Sequence, residues 1–145
     1  MNTNKEIIKN LSDVKIILAA LWIAEVLSSL NGDTYRLNDP AILKSSLENT
    51  GAVVTTPEML LGASLIFVSS ICMSVLTLTF KSSVSRWVNR IVGIFYTIIF
   101  LAFLFLHLAV WHSASYEFVW ATAQLVFTLM IVWYAWKWPK SKIQS

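Results

Sequence analysis

The sequence predicts an all-α, polytopic membrane protein built as a four-transmembrane-helix bundle, and three observations lead to this prediction. Hydrophobic residues make up 57% of the chain and charged residues 13%, whereas soluble domains average about 25% charged residues. Four apolar stretches are long enough to cross a bilayer, which takes ~20 residues per helix. The basic residues also fall mainly on one side of the bundle that these stretches would form.

Four crossings use most of the 145 residues, so we expect a single membrane domain, 1–145, with no room for a second, soluble one. The connections between the second, third and fourth spans are short, which makes these spans sequential antiparallel neighbours. The predicted transmembrane helices cover approximately residues 14–35, 58–80, 86–111 and 117–137.

Local signals indicate where several helices begin. An Asp-Pro pair at 39–40 and a Thr-Pro pair at 56–57 each place a capping side chain before a proline at the first helical position. The first pair predicts a short amphipathic helix over 40–49 in the first outer loop, and the second pair begins the second span. Ser85 is the predicted N-cap of the third span. Residues 1–13 are expected to form an interfacial helical turn or two.

The charge distribution predicts the orientation of the chain. Arg36 and Lys44 lie on one side of the predicted membrane, and nine of the eleven basic residues lie on the other. The positive-inside rule then places both termini and the middle loop in the cytoplasm, with the protein in the inner (plasma) membrane. Topology and the lipid bilayer account for the net charge of +3, and no nucleic-acid partner is expected. The nine residues are Lys5, Lys9, Lys15, Lys81, Arg86, Arg90, Lys137, Lys140 and Lys142.

Glu25 lies well inside the first predicted span, where an ionised carboxylate costs at least ~2.5–3.5 kcal/mol. Ser28 or Ser29, Gly32 and Arg36 follow it on the same helical face, at i+3 or i+4, i+7 and i+11. Such a polar stripe cannot face lipid, so it faces the bundle interior or a partner chain. The stripe predicts a crevice that opens towards the outer side.

Other spans carry polar residues at a depth similar to that of Glu25. With a rise of ~1.5 Å per residue, Glu25, His107 and Gln124 lie roughly 9, 6 and 10 Å from the outer ends of their helices. Trp22 is too deep for an interfacial aromatic belt, and Tyr96 shares a broad face with His107. The candidate ligand- or proton-binding residues are therefore Glu25, His107, Gln124, Trp22, Ser28 and Tyr96.

Glu25 and His107 also have structural interpretations. Glu25 can be protonated, because burial favours the neutral form of a carboxyl group, and hydrogen-bonded to Gln124 or a serine as interhelical glue. It can equally be a proton or ligand site, or a dimer contact. His107 near a helix end is typical of an interfacial amphipathic residue. Since His107 and His112 lack the spacing of a known ligand motif, we expect no metal and no cofactor.

Two resemblances add expectations. The segments LSDVKI, ALWIA, FKSSVSRWVNRIVGIFYTII and VWYAWKWPK resemble a small four-helix integral membrane family of bacteria and archaea, catalogued as a domain of unknown function. This resemblance implies the four-helix fold and a bacterial-type membrane location. In that family an apolar residue is usual at the position of Glu25. Locally, IAEVLSSL resembles the first helix of small multidrug resistance exporters, where an Ala-Glu-Val carries the proton and the cationic drug; the rest of that pattern is absent here.

Three functions remain open from the sequence. The first is a protein, acting as a homodimer if it transports, that binds or translocates a small cationic or lipophilic ligand coupled to protonation of Glu25. The second is a membrane enzyme on a lipophilic substrate, with Glu25 and His107 as acid and base. The third is an accessory or structural membrane subunit in which the polar groups specify packing. We prefer the first to the third, and a non-enzymatic role to an enzymatic one.

Overall fold

The computed structural model describes residues 2–48, 56–109 and 115–138, and within these ranges every regular element is helical. The predicted all-α class is therefore confirmed for this part of the chain. The helices are α1 (Asn2–Asn38), α2 (Pro40–Leu47), α3 (Pro57–Thr79), α4 (Ser82–Ala109) and α5 (Ser115–Lys137).

Three of the helices are long and apolar enough to cross a membrane. They are α3, α4 and the Tyr116–Lys137 part of α5, whose most apolar windows have mean hydropathies of 2.2, 2.5 and 1.6. These values are consistent with a location in the membrane. The helix α1 is not among the three, so a fourth crossing stays a prediction.

The four long helices share one core. The helix α1 packs along both α3 and α5, and α4 packs chiefly along α5. A Cβ atom at Gly93 of α4 would lie 3.1 Å from methyl groups of Ile131 and Val132, so this glycine permits the close approach of α4 and α5. Side chains from all four helices meet in the centre: Leu18, Leu21, Trp22, Met73, Tyr96, Phe100, Ile131 and Ala135.

Both predicted Pro-associated helix starts are confirmed. The Asp39 carboxylate accepts hydrogen bonds from the backbone N–H groups of Ala41 at 3.0 Å and Ile42 at 3.5 Å. The Thr56 hydroxyl accepts one from the N–H of Met59 at 3.3 Å. Each side chain thus satisfies backbone donors that have no partner within their own helix.

Two other local predictions differ from the structure. The helix α1 begins at Asn2 and continues unbroken for 37 residues, so the N-terminal turns belong to it. The prediction that Ser85 caps α4 is wrong, because α4 begins at Ser82. The Ser85 hydroxyl instead donates to the carbonyl of Thr77 at 3.1 Å, deep in the protein. The predicted outer helix ran to residue 49, whereas α2 ends at Leu47 and residue 48 is its C-cap. Residue 49 lies outside the described residues.

Two basic side chains bind the C-terminal ends of neighbouring helices. Lys15 of α1 donates to the carbonyls of Leu78 and Phe80 at the end of α3. Arg90 of α4 donates to the carbonyls of Ala135 at 2.9 Å and Trp136 at 3.1 Å, at the end of α5. Cations at helix C-termini satisfy carbonyls that lack a partner in the helix and interact favourably with the helix dipole.

We expect Arg90→Ala to lower the free energy of unfolding by about 1–2 kcal/mol, because it removes charged hydrogen bonds and two cation–π contacts. The guanidinium group lies 4.9 Å from the Trp136 ring centroid and 5.3 Å from that of Trp87. Denaturant unfolding in mixed micelles measures the change. Lys44→Ala, at an exposed lysine of α2, is the control and should leave stability within about 0.5 kcal/mol of wild type.

Candidate functional site

Glu25 lies in the protein interior, where α1 meets α3. Its exposed fraction is 1%. Ser29, one turn later on α1, donates to Glu25 Oε1 at 3.3 Å, and Ser70 of α3 lies close enough to interact with the same carboxyl group. Among the described residues, no basic side chain lies within ion-pair distance of Glu25. The carboxyl group is therefore buried without a counter-charge from the described part of the chain.

Several polar atoms around this carboxyl group are unsatisfied. Glu25 Oε2, Ser28 Oγ and Ser70 Oγ are buried, and none of them has a hydrogen-bond partner among the described residues. Ser70, although close to the carboxyl group, does not reach hydrogen-bond geometry with it. A buried polar group without a partner costs about 1–3 kcal/mol, so such groups call for an explanation. A proton on Glu25 would remove its charge, and a polar group of a ligand at this point could satisfy these atoms.

Trp22, the candidate one turn before Glu25, belongs to a different polar cluster. Its indole Nε1 donates to Asn89 Oδ1 at 2.8 Å. The Asn89 amide donates in turn to Thr77 Oγ1 at 2.9 Å and to the Ser85 carbonyl at 2.8 Å. Trp22, Asn89, Thr77 and Ser85 are at most 1% exposed. We call these four residues the Asn89 network; it joins α1, α3 and α4.

Sequence reasoning did not single out Asn89. The signal that identifies it is local, because Ser85 and Asn89 are four residues apart and thus share a helical face. The short connection from α3 brings Thr77 opposite them. Unlike the groups around Glu25, the polar atoms of this network hydrogen-bond one another, which indicates a structural role.

Tyr96 lies in the core beside Trp22. The two rings meet edge to face, with centroids 5.2 Å apart. The Tyr96 hydroxyl donates to the carbonyl of Ile66 at 2.7 Å and also contacts the Ser69 hydroxyl. Tyr96 thus ties α4 to α3, and its described hydrogen bonds do not include Glu25.

The structure does not join His107 or Gln124 to Glu25. The Nδ1 atom of His107 hydrogen-bonds the carbonyl of Phe103 on its own helix, at 2.8 Å. Gln124 on α5 is half-buried, and within the described residues no hydrogen bond connects it to Glu25. His112 lies outside the described residues. The enzyme hypothesis needs Glu25 and His107 at one substrate, and no contact among the described residues joins the two.

The outer end of the polar stripe joins α1 to α5. Arg36 Nε donates to Glu117 Oε1 at 3.0 Å, and the Tyr35 ring stacks on Trp120 with centroids 5.8 Å apart. A Cβ atom at Gly32 would lie 3.3 Å from Trp120 Cβ. These contacts hold α1 and α5 together, so the predicted crevice does not open between these two helices.

A second link ties the start of α2 to α5. The Tyr116 hydroxyl donates to Asp39 Oδ2 at 3.0 Å. This hydrogen bond, together with those from the N–H groups of Ala41 and Ile42, holds the pKa of the Asp39 carboxyl below its usual value. Asp39 is therefore ionised in the folded protein at neutral pH, and it both caps α2 and anchors it to α5.

Comparison with known proteins identifies no relative, so the site is interpreted from its own geometry. Among the described residues, no three His, Cys, Asp or Glu side chains are grouped so that they could hold a metal ion. No protein-family model, no curated protein and no solved structure matches the chain.

Proposed function

We propose that the protein is a multi-pass membrane protein in which Glu25 binds a small cationic or lipophilic ligand in competition with a proton. The observation that carries the proposal is the buried Glu25 carboxyl group, which is 1% exposed. Its Oε2 atom and the nearby Ser28 and Ser70 hydroxyls have no hydrogen-bond partner among the described residues. An ionised carboxylate buried without a counter-charge is strongly unfavourable. Glu25 therefore has two stable states, one protonated and one paired with a cation.

The topology we propose has four transmembrane crossings through α1, α3, α4 and α5, with both termini in the cytoplasm. The unequal distribution of basic residues supports it. The positions of Lys15 and Arg90, which bind the ends of α3 and α5, also suit one basic end of the bundle. The proposed location is the inner (plasma) membrane, and translocation, as distinct from binding, would call for a homodimer.

The exchange of a proton for a cation gives a direct test. We expect wild-type protein in lipid nanodiscs to release a proton into weakly buffered solution for each tetraphenylphosphonium ion that binds. Glu25→Gln keeps the shape of the side chain but cannot release that proton, so it should show no release. A pH-indicator dye measures the proton, and radiolabelled tetraphenylphosphonium measures binding.

The control is Glu58→Gln, which makes the same chemical change at an exposed carboxylate in the first turn of α3. This variant should behave as wild type. If wild-type protein releases no proton, or if Glu25→Gln releases as much as wild type, the proposed function is wrong.

A further inference from the structure

Two serine hydroxyls beside Glu25 behave differently from other hydroxyls in the helices of this protein. Ser64 is typical of the others, because its hydroxyl donates to the carbonyl of Leu60, four residues earlier, at 2.8 Å. Bonds of this kind within one helix are also made by Thr34, Ser74, Thr79, Thr97, Thr122 and Thr128. The buried hydroxyls of Ser28 and Ser70 make no hydrogen bond among the described residues. Their oxygen atoms are thus left for a partner other than the backbone.

A third unpartnered oxygen in the same place belongs to Glu25. Its Oε1 atom accepts from Ser29 at 3.3 Å, whereas Oε2 has no partner among the described residues. Ser28 lies on the same face of α1, three residues after Glu25, and Ser70 faces the carboxyl group from α3. These four side chains are at most 8% exposed. One carboxyl oxygen and two hydroxyls are therefore enclosed between α1 and α3 without a hydrogen bond among them.

This set of atoms is suited to a hard cation. Hard cations take oxygen ligands, and each ligand then contacts the ion and not its neighbours. A hydroxyl has two lone pairs and a hydrogen that rotates. Ser28 and Ser70 can therefore offer a lone pair to a cation while the hydrogen turns towards the backbone, as it does in Ser64. The set contains no nitrogen or sulfur atom, which disfavours zinc, copper and other metals that prefer such ligands.

The charges around Glu25 favour an ion with a single positive charge. The stretches 59–79 of α3, 91–106 of α4 and 118–136 of α5 contain no Asp, Glu, Lys, Arg or His. The titratable side chains within these stretches are Cys72, Tyr96 and Tyr134. One carboxylate therefore has to balance any cation bound at this depth. A monovalent ion leaves a neutral pair, whereas a divalent ion would leave an excess charge in the apolar interior, which is costly.

We propose that the cation bound by Glu25 is a sodium ion, held by Glu25 Oε2 and the hydroxyl oxygens of Ser28 and Ser70. This inference rests on the proposed function and names the ligand. When sodium binds, the O–H bond of the protonated carboxyl group breaks, the proton passes to water, and the carboxylate oxygen contacts the ion in its place. The net charge inside the protein does not change. Ser29, which donates to Oε1, holds the carboxylate in position.

The enclosure of the site favours a small ion over a large one. Glu25 and Ser70 are at most 1% exposed, and α1 packs along α3. The larger potassium ion needs the oxygen ligands to move apart, and a tetraphenylphosphonium ion reaches the carboxylate only if the two helices separate. We therefore expect sodium to bind more tightly than either ion and to displace tetraphenylphosphonium.

Replacing potassium chloride by sodium chloride at constant total salt tests the proposal. The protein is prepared in nanodiscs without sodium, radiolabelled sodium measures binding, and a pH-indicator dye in weakly buffered solution measures protons. We expect wild type to release a proton for each sodium ion that binds, and Glu25→Gln to show neither binding nor release. Ser70→Ala removes one ligand of the ion and should weaken sodium binding about tenfold, equivalent to about 1.4 kcal/mol.

The matched control is Ser64→Ala, the same change on α3 at an exposed hydroxyl that donates to its own helix. It should bind sodium as wild type does. Ser28→Ala provides a second ligand variant if Ser70→Ala fails to fold. If tetraphenylphosphonium releases a proton and sodium does not, or if the folded serine variants bind sodium as tightly as wild type, the sodium site is wrong and the proposed function stands. If neither ion releases a proton, the proposed function itself is wrong.

Discussion

Glu25→Leu should raise the free energy of unfolding by about 1–2 kcal/mol while it abolishes cation binding. The reason is that the substitution removes a buried carboxyl oxygen that has no hydrogen-bond partner among the described residues, and unsatisfied groups of this kind cost about 1–3 kcal/mol each. Leucine has a comparable size and suits an apolar interior. Binding sites are often less stable than the fold would allow, so loss of function with gain of stability is the expected pattern. Denaturant unfolding at neutral pH, without added cation, measures the change.

The control for this prediction is the same substitution at a paired carboxylate. Glu117→Leu removes the closer of the two carboxylates that pair with Arg36, at 3.0 Å against 4.0 Å for Asp33. It should lower stability by up to about 1 kcal/mol, since Arg36 is half exposed. If Glu25→Leu destabilises the protein as much as Glu117→Leu does, Glu25 serves to stabilise the packing between helices. An accessory or structural subunit is then the better interpretation.

Asn89→Leu should have the largest destabilising effect, a loss of about 2–4 kcal/mol in the free energy of unfolding. The amide accepts the indole N–H of Trp22 and exchanges hydrogen bonds with Thr77. Leucine would leave these buried donors without partners, at about 1–3 kcal/mol each. Unfolding in mixed micelles measures the loss, and near-ultraviolet circular dichroism reports the freed indole of Trp22.

Asn38→Leu is the matched control for Asn89. Asn38 is exposed at the end of α1, where its amide donates to the carbonyl of Thr34. Substitution there should change stability by no more than about 0.5 kcal/mol. Equal effects of the two substitutions would show that the Asn89 network contributes little to the stability of the fold.

Features encoded by a few adjacent residues were predictable. The Asp39 and Thr56 caps follow from one side chain and the proline after it, and both start a helix as expected. Long apolar segments likewise predicted α3, α4 and α5, because hydropathy and length decide membrane helices. The start of α1 was not predictable in this way. No glycine or proline separates residues 1–13 from the first span, so the helix continues where hydropathy alone suggested a boundary.

Features decided by packing were not predictable. Ser85 has the residue type of an N-cap, but Asn89 and Thr77 lie next to it in the folded chain and bury its hydroxyl. Similar depth also did not mean contact for Glu25, His107 and Gln124. The depth of a residue along its helix does not show which helices are neighbours in the bundle. Because the loop after the first span is long, the sequence did not determine which helices α1 packs against. The helix α1 packs on α3 and α5, so Glu25 meets Ser70 and not His107.

The protonation state of Glu25 is the most direct test of the central claim. Infrared difference spectra of the protein in lipid, with and without tetraphenylphosphonium at neutral pH, separate a carboxylic acid from a carboxylate. We expect binding to remove the C=O stretch of a protonated carboxylic acid and to add carboxylate bands, and we expect Glu25→Gln to lack both changes. If the acid band is unchanged when the cation binds, or if Glu25→Gln gives the same difference spectrum, the proton on Glu25 does not exchange for a ligand.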